Sequence, residues 1–137
     1  YMIYEAKLLG ASAVLLICAI LDTGMLAEYL EAADSLGLSA IVEAHDETEV
    51  ASAVSAGARI IGVNNRNLKD FTVDIHNSIR LRSCAPAGTI FVAESGIRTP
   101  EDVEILRQNG VNAVLVGEQL MRAGSPKDEL NRLRGLT

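Results

Sequence analysis

The chain alternates between segments with a helical apolar period and short unbroken apolar runs. Four times a glycine introduces such a run. The junctions are Gly10-Ala11-Ser12-Ala13-Val14-Leu15, Gly37-Leu38-Ser39-Ala40-Ile41-Val42, Gly57-Ala58-Arg59-Ile60-Ile61-Gly62 and Gly110-Val111-Asn112-Ala113-Val114-Leu115. A fifth run, Ile90-Phe91-Val92-Ala93, falls between the third and fourth. Each glycine reads as a helix stop and each run as a buried strand, which is the alternation of βα units around a parallel sheet. The spacing predicts helices over about 2–9, 24–36, 47–56, 75–83, 100–109, 118–122 and 126–134. It predicts strands over 13–20, 40–45, 60–65, 89–94 and 113–117.

Several boundaries carry their own mechanism. Asp46 and Glu49 have capping-box spacing, so their carboxylates can take up free N–H groups of the first turn. Thr99-Pro100-Glu101-Asp102 supplies a cap, a proline at the first helical position and acids at the positive end of the dipole; Ser125-Pro126 repeats the cap and proline. In 24–36, Met25, Leu26, Tyr29, Leu30, Ala33 and Leu36 form one stripe, as in a helix lying on a sheet. Val14-Leu15-Leu16-Ile17 is apolar at every position, which predicts strands covered on both faces.

Five strands permit an open doubly wound sheet or about five units of a closed (β/α)8 barrel, which normally needs about 250 residues. The opening helix has no strand before it. That favours a partial barrel and leads to the expectation that residues 1–137 are one domain, the C-terminal part of something longer.

Composition narrows the partners. The net charge of −6 argues against nucleic-acid or anionic-membrane surfaces, which call for a basic face. No apolar run approaches the roughly 18 residues a bilayer needs, and no signal peptide is visible. Cys18 and Cys84 lack metal-ligand spacing, and Cys18 lies in an apolar run as a packing residue. The expected compartment is the cytoplasm, with no metal site.

Chemistry in parallel sheets gathers at the C-terminal strand ends. Here those ends read Glu43, Asn64-Asn65-Arg66, Glu94-Ser95-Gly96 and Gly117-Glu118. A poorly solvated carboxylate at Glu43 suits a general acid or base. Asn64 and Arg66 can orient a hydroxylated, charged substrate, Arg66 through forked contacts. Glu94 could fix a cation or a sugar hydroxyl, or pair with Arg66. Gly96 and Gly117 at consecutive strand ends offer bare amides to a phosphate. The carboxylate of Glu118 is expected to turn away from that phosphate. His45 reads as a turn residue.

Read together, these motifs resemble indole-3-glycerol phosphate synthase. The resemblance rests on Tyr4-Glu5-Ala6-Lys7, Val42-Glu43-Ala44-His45-Asp46 and Ile61-Gly62-Val63-Asn64-Asn65-Arg66-Asn67-Leu68. It continues in Val92-Ala93-Glu94-Ser95-Gly96-Ile97 and Ala113-Val114-Leu115-Val116-Gly117-Glu118-Gln119-Leu120-Met121-Arg122, and so runs the length of the chain. It implies a (β/α)8 barrel that converts a carboxyphenylamino-deoxyribulose 5-phosphate to an indole, releasing CO2 and water, with no cofactor. On that resemblance Glu43 is the proton-handling carboxylate, Asn64 holds the hydroxyl region and Arg66 supports it. Glu94 and Ser95 flank the ribulose chain, and Leu115 is an apolar contact. Gly96, Gly117 and Glu118 are phosphate-loop backbone. The resemblance also implies three earlier strands carrying two catalytic lysines and another glutamate, so residues 1–137 alone are expected to be inactive. The two outer strands are expected to be open edges that pair with another copy or with the missing portion.

Two other readings are weaker. Another phosphate-binding barrel, such as phosphoribosylanthranilate isomerase or a thiazole synthase, gives no reason for Glu43 and Asn64-Asn65-Arg66 together. A five-stranded receiver-like domain needs an acidic pair after its first strand and a lysine after its last, and neither is present.

Overall fold

The computed structural model describes residues 1–67 and 69–136. Leu68, part of the motif quoted above, and Thr137 lie outside the described residues. The order is α1 (Met2–Leu8), β1 (Ala13–Ile17), a 3-10 turn (Cys18–Ile20), α2 (Thr23–Ser35), β2 (Ser39–Ala44), α3 (Glu47–Ser55) and β3 (Ile60–Asn64). Then follow α4 (His76–Arg82), β4 (Ile90–Glu94), α5 (Pro100–Gln108), β5 (Ala113–Leu115), α6 (Glu118–Arg122) and α7 (Pro126–Leu133).

The caps explain the helix starts. Thr99 and Asp102 form a full capping box, and Ser125 accepts from the Asp128 amide. Asp22 caps α2 by accepting from the Met25 N–H. At α3 only half of the expected box forms. Asp46 accepts from the Glu49 N–H, but Glu49 reaches one residue further back, to the His45 N–H. The predicted strand 13–20 ends at Ile17, where the backbone tightens into the 3-10 turn, and the predicted 113–117 ends at Leu115.

All five strands are parallel and lie in sequence order, β1-β2-β3-β4-β5. A doubly wound sheet reverses its order at a switch point; this one never does. Right-handed crossovers in an unreversed order put every helix on the same face. That is the winding of a (β/α)8 barrel, with five units present, and it removes the receiver-like alternative.

Alternation along the strands divides the two faces. Val42, Ala44, Ile61, Val63, Phe91 and Ala93 point under the helices and are fully buried with Leu26, Val50, Leu81 and Leu106. The opposite face is open, in correction of the expectation of double cover: Leu15, Ile90 and Leu115 are each about half exposed. These strands are apolar on both sides because a barrel turns this second face inward. Register then lines up that face in rows. Ile17, Glu43, Gly62, Val92 and Ala113 make one row, and Asn64, Glu94 and Leu115 make the row nearest the C-terminal rim.

Candidate active site

The row containing Glu43 and the rim row above it bring the expected side chains together. Glu43 is buried, and its Oε1 accepts from Asn64 Nδ2 at 3.3 Å. Glu94 is buried on the neighbouring strand pair. It leans across Gly62, where any Cβ would collide with its Oε1. That oxygen has no hydrogen-bond partner. Burial, together with the facing Glu43 carboxylate, pushes the Glu94 carboxyl up to about 7. Glycine at position 62 is therefore what lets two carboxyls from separate strands share one space.

His45, which the sequence reads as a turn residue, joins this cluster. Its Nε2 lies 3.4 Å from Glu43 Oε1 and its Nδ1 3.2 Å from Glu49 Oε2. The only sequence signal was its place two residues after Glu43, on the same strand face.

Asn65 reads in the sequence as a loop amide but is a buried strut. Its backbone N–H donates to the Glu94 carbonyl at 2.8 Å and its Nδ2 to the Ser95 carbonyl at 3.1 Å. Its Oδ1 accepts from the Ser78 N–H and hydroxyl at 3.0 and 2.7 Å. One side chain thus ties the ends of β3 and β4 to the first turns of α4.

Beyond Glu94 the chain turns through two left-handed residues, Ser95 at φ 66° and Gly96 at φ 80°. A non-glycine residue there costs on the order of 1 kcal/mol or more. At Gly96 a Cβ would strike Val73 Cγ1, so this position admits only glycine. A cavity of about 690 Å³ opens on this turn, walled by Arg66, Glu94, Ser95, Gly96, Leu115, Gly117 and Glu118. Arg66 also lines a second cavity of about 710 Å³, together with Asn64, His45 and Glu49.

Arg66 does not pair with Glu94. Its Nη2 donates to Glu118 Oε2 at 3.1 Å, while Arg122 Nε lies 3.1 Å from Glu118 Oε1. The Glu118 side chain is held by two guanidiniums, which offset its charge. Among the described residues, no group of three or more His, Cys, Asp or Glu side chains could hold a metal ion. No described helix is long and apolar enough to cross a membrane.

Fold and site define a partial (β/α)8 barrel of five units, with a buried acid pair beside a glycine-turn cavity at the C-terminal ends of its strands. The family model for indole-3-glycerol phosphate synthase matches residues 1–133. The chain belongs to that family. The relative from Ruminiclostridium cellulolyticum is 63% identical over 135 residues, covering 98% of this chain and 52% of its own length. That from Endomicrobium trichonymphae is 54% identical and also covered over 52% of its length. The chain spans about half the length of these curated relatives.

Solved structures support the fold alone. The 3-hexulose-6-phosphate synthase of Salmonella typhimurium aligns with a TM-score of 0.78 at 20% identity, over 97% of this chain and 66% of that one. A thiamine phosphate pyrophosphorylase from Pyrococcus furiosus aligns at 0.76 and 18% identity, over 98% and 63%.

Proposed function

We propose that this chain supplies the acid–base and phosphate-holding half of an indole-3-glycerol phosphate synthase site. The reaction would be ring closure of 1-(2-carboxyphenylamino)-1-deoxyribulose 5-phosphate with loss of CO2 and water, a decarboxylating carbon–carbon lyase reaction requiring no cofactor. The observation that carries this reading is the buried Glu43–Glu94 pair, gripped by Asn64 and opening beside the Ser95-Gly96 turn.

Burial and the facing Glu43 carboxylate raise the Glu94 carboxyl to about 7, so Glu94 can hold a proton near neutral pH beside Glu43. A group that loses its proton near the working pH serves well as general acid or base. In this reading Glu43 takes and returns the protons moved in condensation and dehydration. Asn64 fixes its Oε1, and Glu94 keeps the pair from charging twice. The amides of Gly96 and Gly117 hold the phosphate, with Glu118 present through its backbone, while Ser95 and Leu115 flank the ribulose carbons. Arg66 positions the rim by holding Glu118.

Lysines that would meet the substrate's carboxylate and carbonyl belong, in this reading, to the half these residues do not cover. Residues 1–137 alone should then show no measurable turnover. The test is a complete synthase, made by joining residues 1–137 to the N-terminal half of the R. cellulolyticum relative. Turnover is expected, and Glu43→Gln should lower kcat by about 10²–10⁴-fold. A folded, inactive fusion, or an unaltered Glu43→Gln variant, would overturn the assignment.

A further inference from the structure

His45 stands between two carboxylates on a ring that can be assigned atom by atom. Glu49 Oε2 accepts from the His45 backbone N–H at 2.7 Å and faces the ring Nδ1 at 3.2 Å. A carboxylate only accepts, so Nδ1 carries a hydrogen. The other nitrogen, Nε2, is buried, lies 3.4 Å from Glu43 Oε1, and has no hydrogen-bond partner in this geometry. A bare Nε2 lone pair facing a bare carboxylate oxygen would be two acceptors in contact. One proton therefore belongs between them.

We propose that His45 is a positioning residue for Glu43, holding at Nε2 the proton that Glu43 takes up and gives back. The inference rests on the reading of Glu43 given above. The proton passes from Nε2 to Oε1, so one N–H bond breaks and one O–H bond forms, and it returns by the same path. Nδ1 keeps its own hydrogen on Glu49 throughout. When the ring is cationic, the Glu49 carboxylate balances it. The 3.4 Å separation is of the kind that closes when substrate binds.

Contacts from α4 and the 3-10 turn fix the backbone that carries His45 and Glu49. The His45 carbonyl accepts from Asn77 Nδ2 of α4 at 3.2 Å. Cys18 Sγ of the 3-10 turn points at the Glu49 carbonyl at 3.5 Å. The titratable groups around the ring are Glu43 on β2, Asp46 and Glu49 at the start of α3, Cys18, and Glu94 of β4 behind Glu43. Across the second cavity stand Arg66, Lys69, Asp74, His76 and Arg80.

The experiment uses the complete fused synthase and its carboxyphenylamino-deoxyribulose phosphate substrate. His45→Gln should lower kcat about tenfold or more while leaving KM within about threefold. Losing the cation beside Glu43 should move the acid limb of the kcat–pH profile upward by about one unit. Glu49→Gln should move it the same way by less, and the double variant should be no worse than His45→Gln alone. In the unsubstituted protein, nitrogen NMR of His45 should show the neutral ring carrying its hydrogen on Nδ1, the nitrogen that faces Glu49.

A His45→Gln enzyme with unchanged kcat and profile would overturn the proposal. If that variant does not fold, a neutral ring protonated at Nε2 in the NMR experiment would overturn it instead. An inactive Glu43→Gln beside an unaltered His45→Gln removes His45 and leaves the reaction in place. An unaltered Glu43→Gln removes the reaction itself.

Discussion

Glu94 is a single side chain whose location has a measurable cost. Its carboxyl is raised from 4.5 to about 7 by burial and by Glu43. A raised carboxyl means that the folded state binds the proton more tightly than the unfolded one. Stability contributed by Glu94 is therefore full at low pH. It falls as pH rises from the unfolded value through the folded one, across about pH 4.5–7. Glu94→Gln should leave stability unchanged near pH 4 and raise it above pH 7 by up to about 3 kcal/mol, as read from urea unfolding at the two pH values. Lower stability of the variant at high pH would contradict the burial argument. Gly62 is bound to the same feature. Gly62→Ala should displace the Glu94 carboxyl and lower kcat of the complete enzyme by about tenfold or more, with KM for the phosphate-bearing substrate nearly unchanged.

At the scale of elements, the junction of β3, β4 and α4 depends on Asn65. Asn65→Leu would strand the Ser78 N–H and hydroxyl and the Ser95 carbonyl. A buried polar group left unpaired costs about 1–3 kcal/mol, so the melting midpoint should fall by several degrees. Exchange of the Ser78 amide hydrogen should accelerate. The identity of the elements was legible in the sequence, because the glycine stops, the Thr99 and Ser125 caps and the apolar runs are local signals. So were the strand-end positions of Glu43, Asn64, Glu94 and the Gly96 and Gly117 turns. What register decides was not legible. The Arg66–Glu118 pair joins residues 52 apart, His45 acquires its carboxylates only once β2 and α3 pack, and Asn65 becomes a strut only once β4 pairs with β3. The half-formed box at α3 has the same origin, since Glu49 is drawn to His45 rather than to its own cap.

For the whole molecule, the decisive property is a sheet with helices on one side and an apolar surface on the other. β1 and β5 are unpaired at its two edges, and Leu15, Ile90 and Leu115 lie about half exposed on the open face. Residues 1–137 alone should self-associate, with light scattering at high concentration giving a dimer or larger species; a clean monomer would contradict this. Covering that surface with the N-terminal half of a relative should return the particle to a single fused chain and raise its unfolding midpoint.

The rim row built by Asn64, Glu94 and Leu115 lies on the face opposite the side chains that pack the helices. Of these, Leu115 is about half exposed, so variation at Leu115 spares the interior that keeps the protein folded. A library randomised at Leu115 in the complete fused synthase can thus be sorted for altered substrate preference without first screening for survivors of heat, while Ser95, held at φ 66°, is left in place.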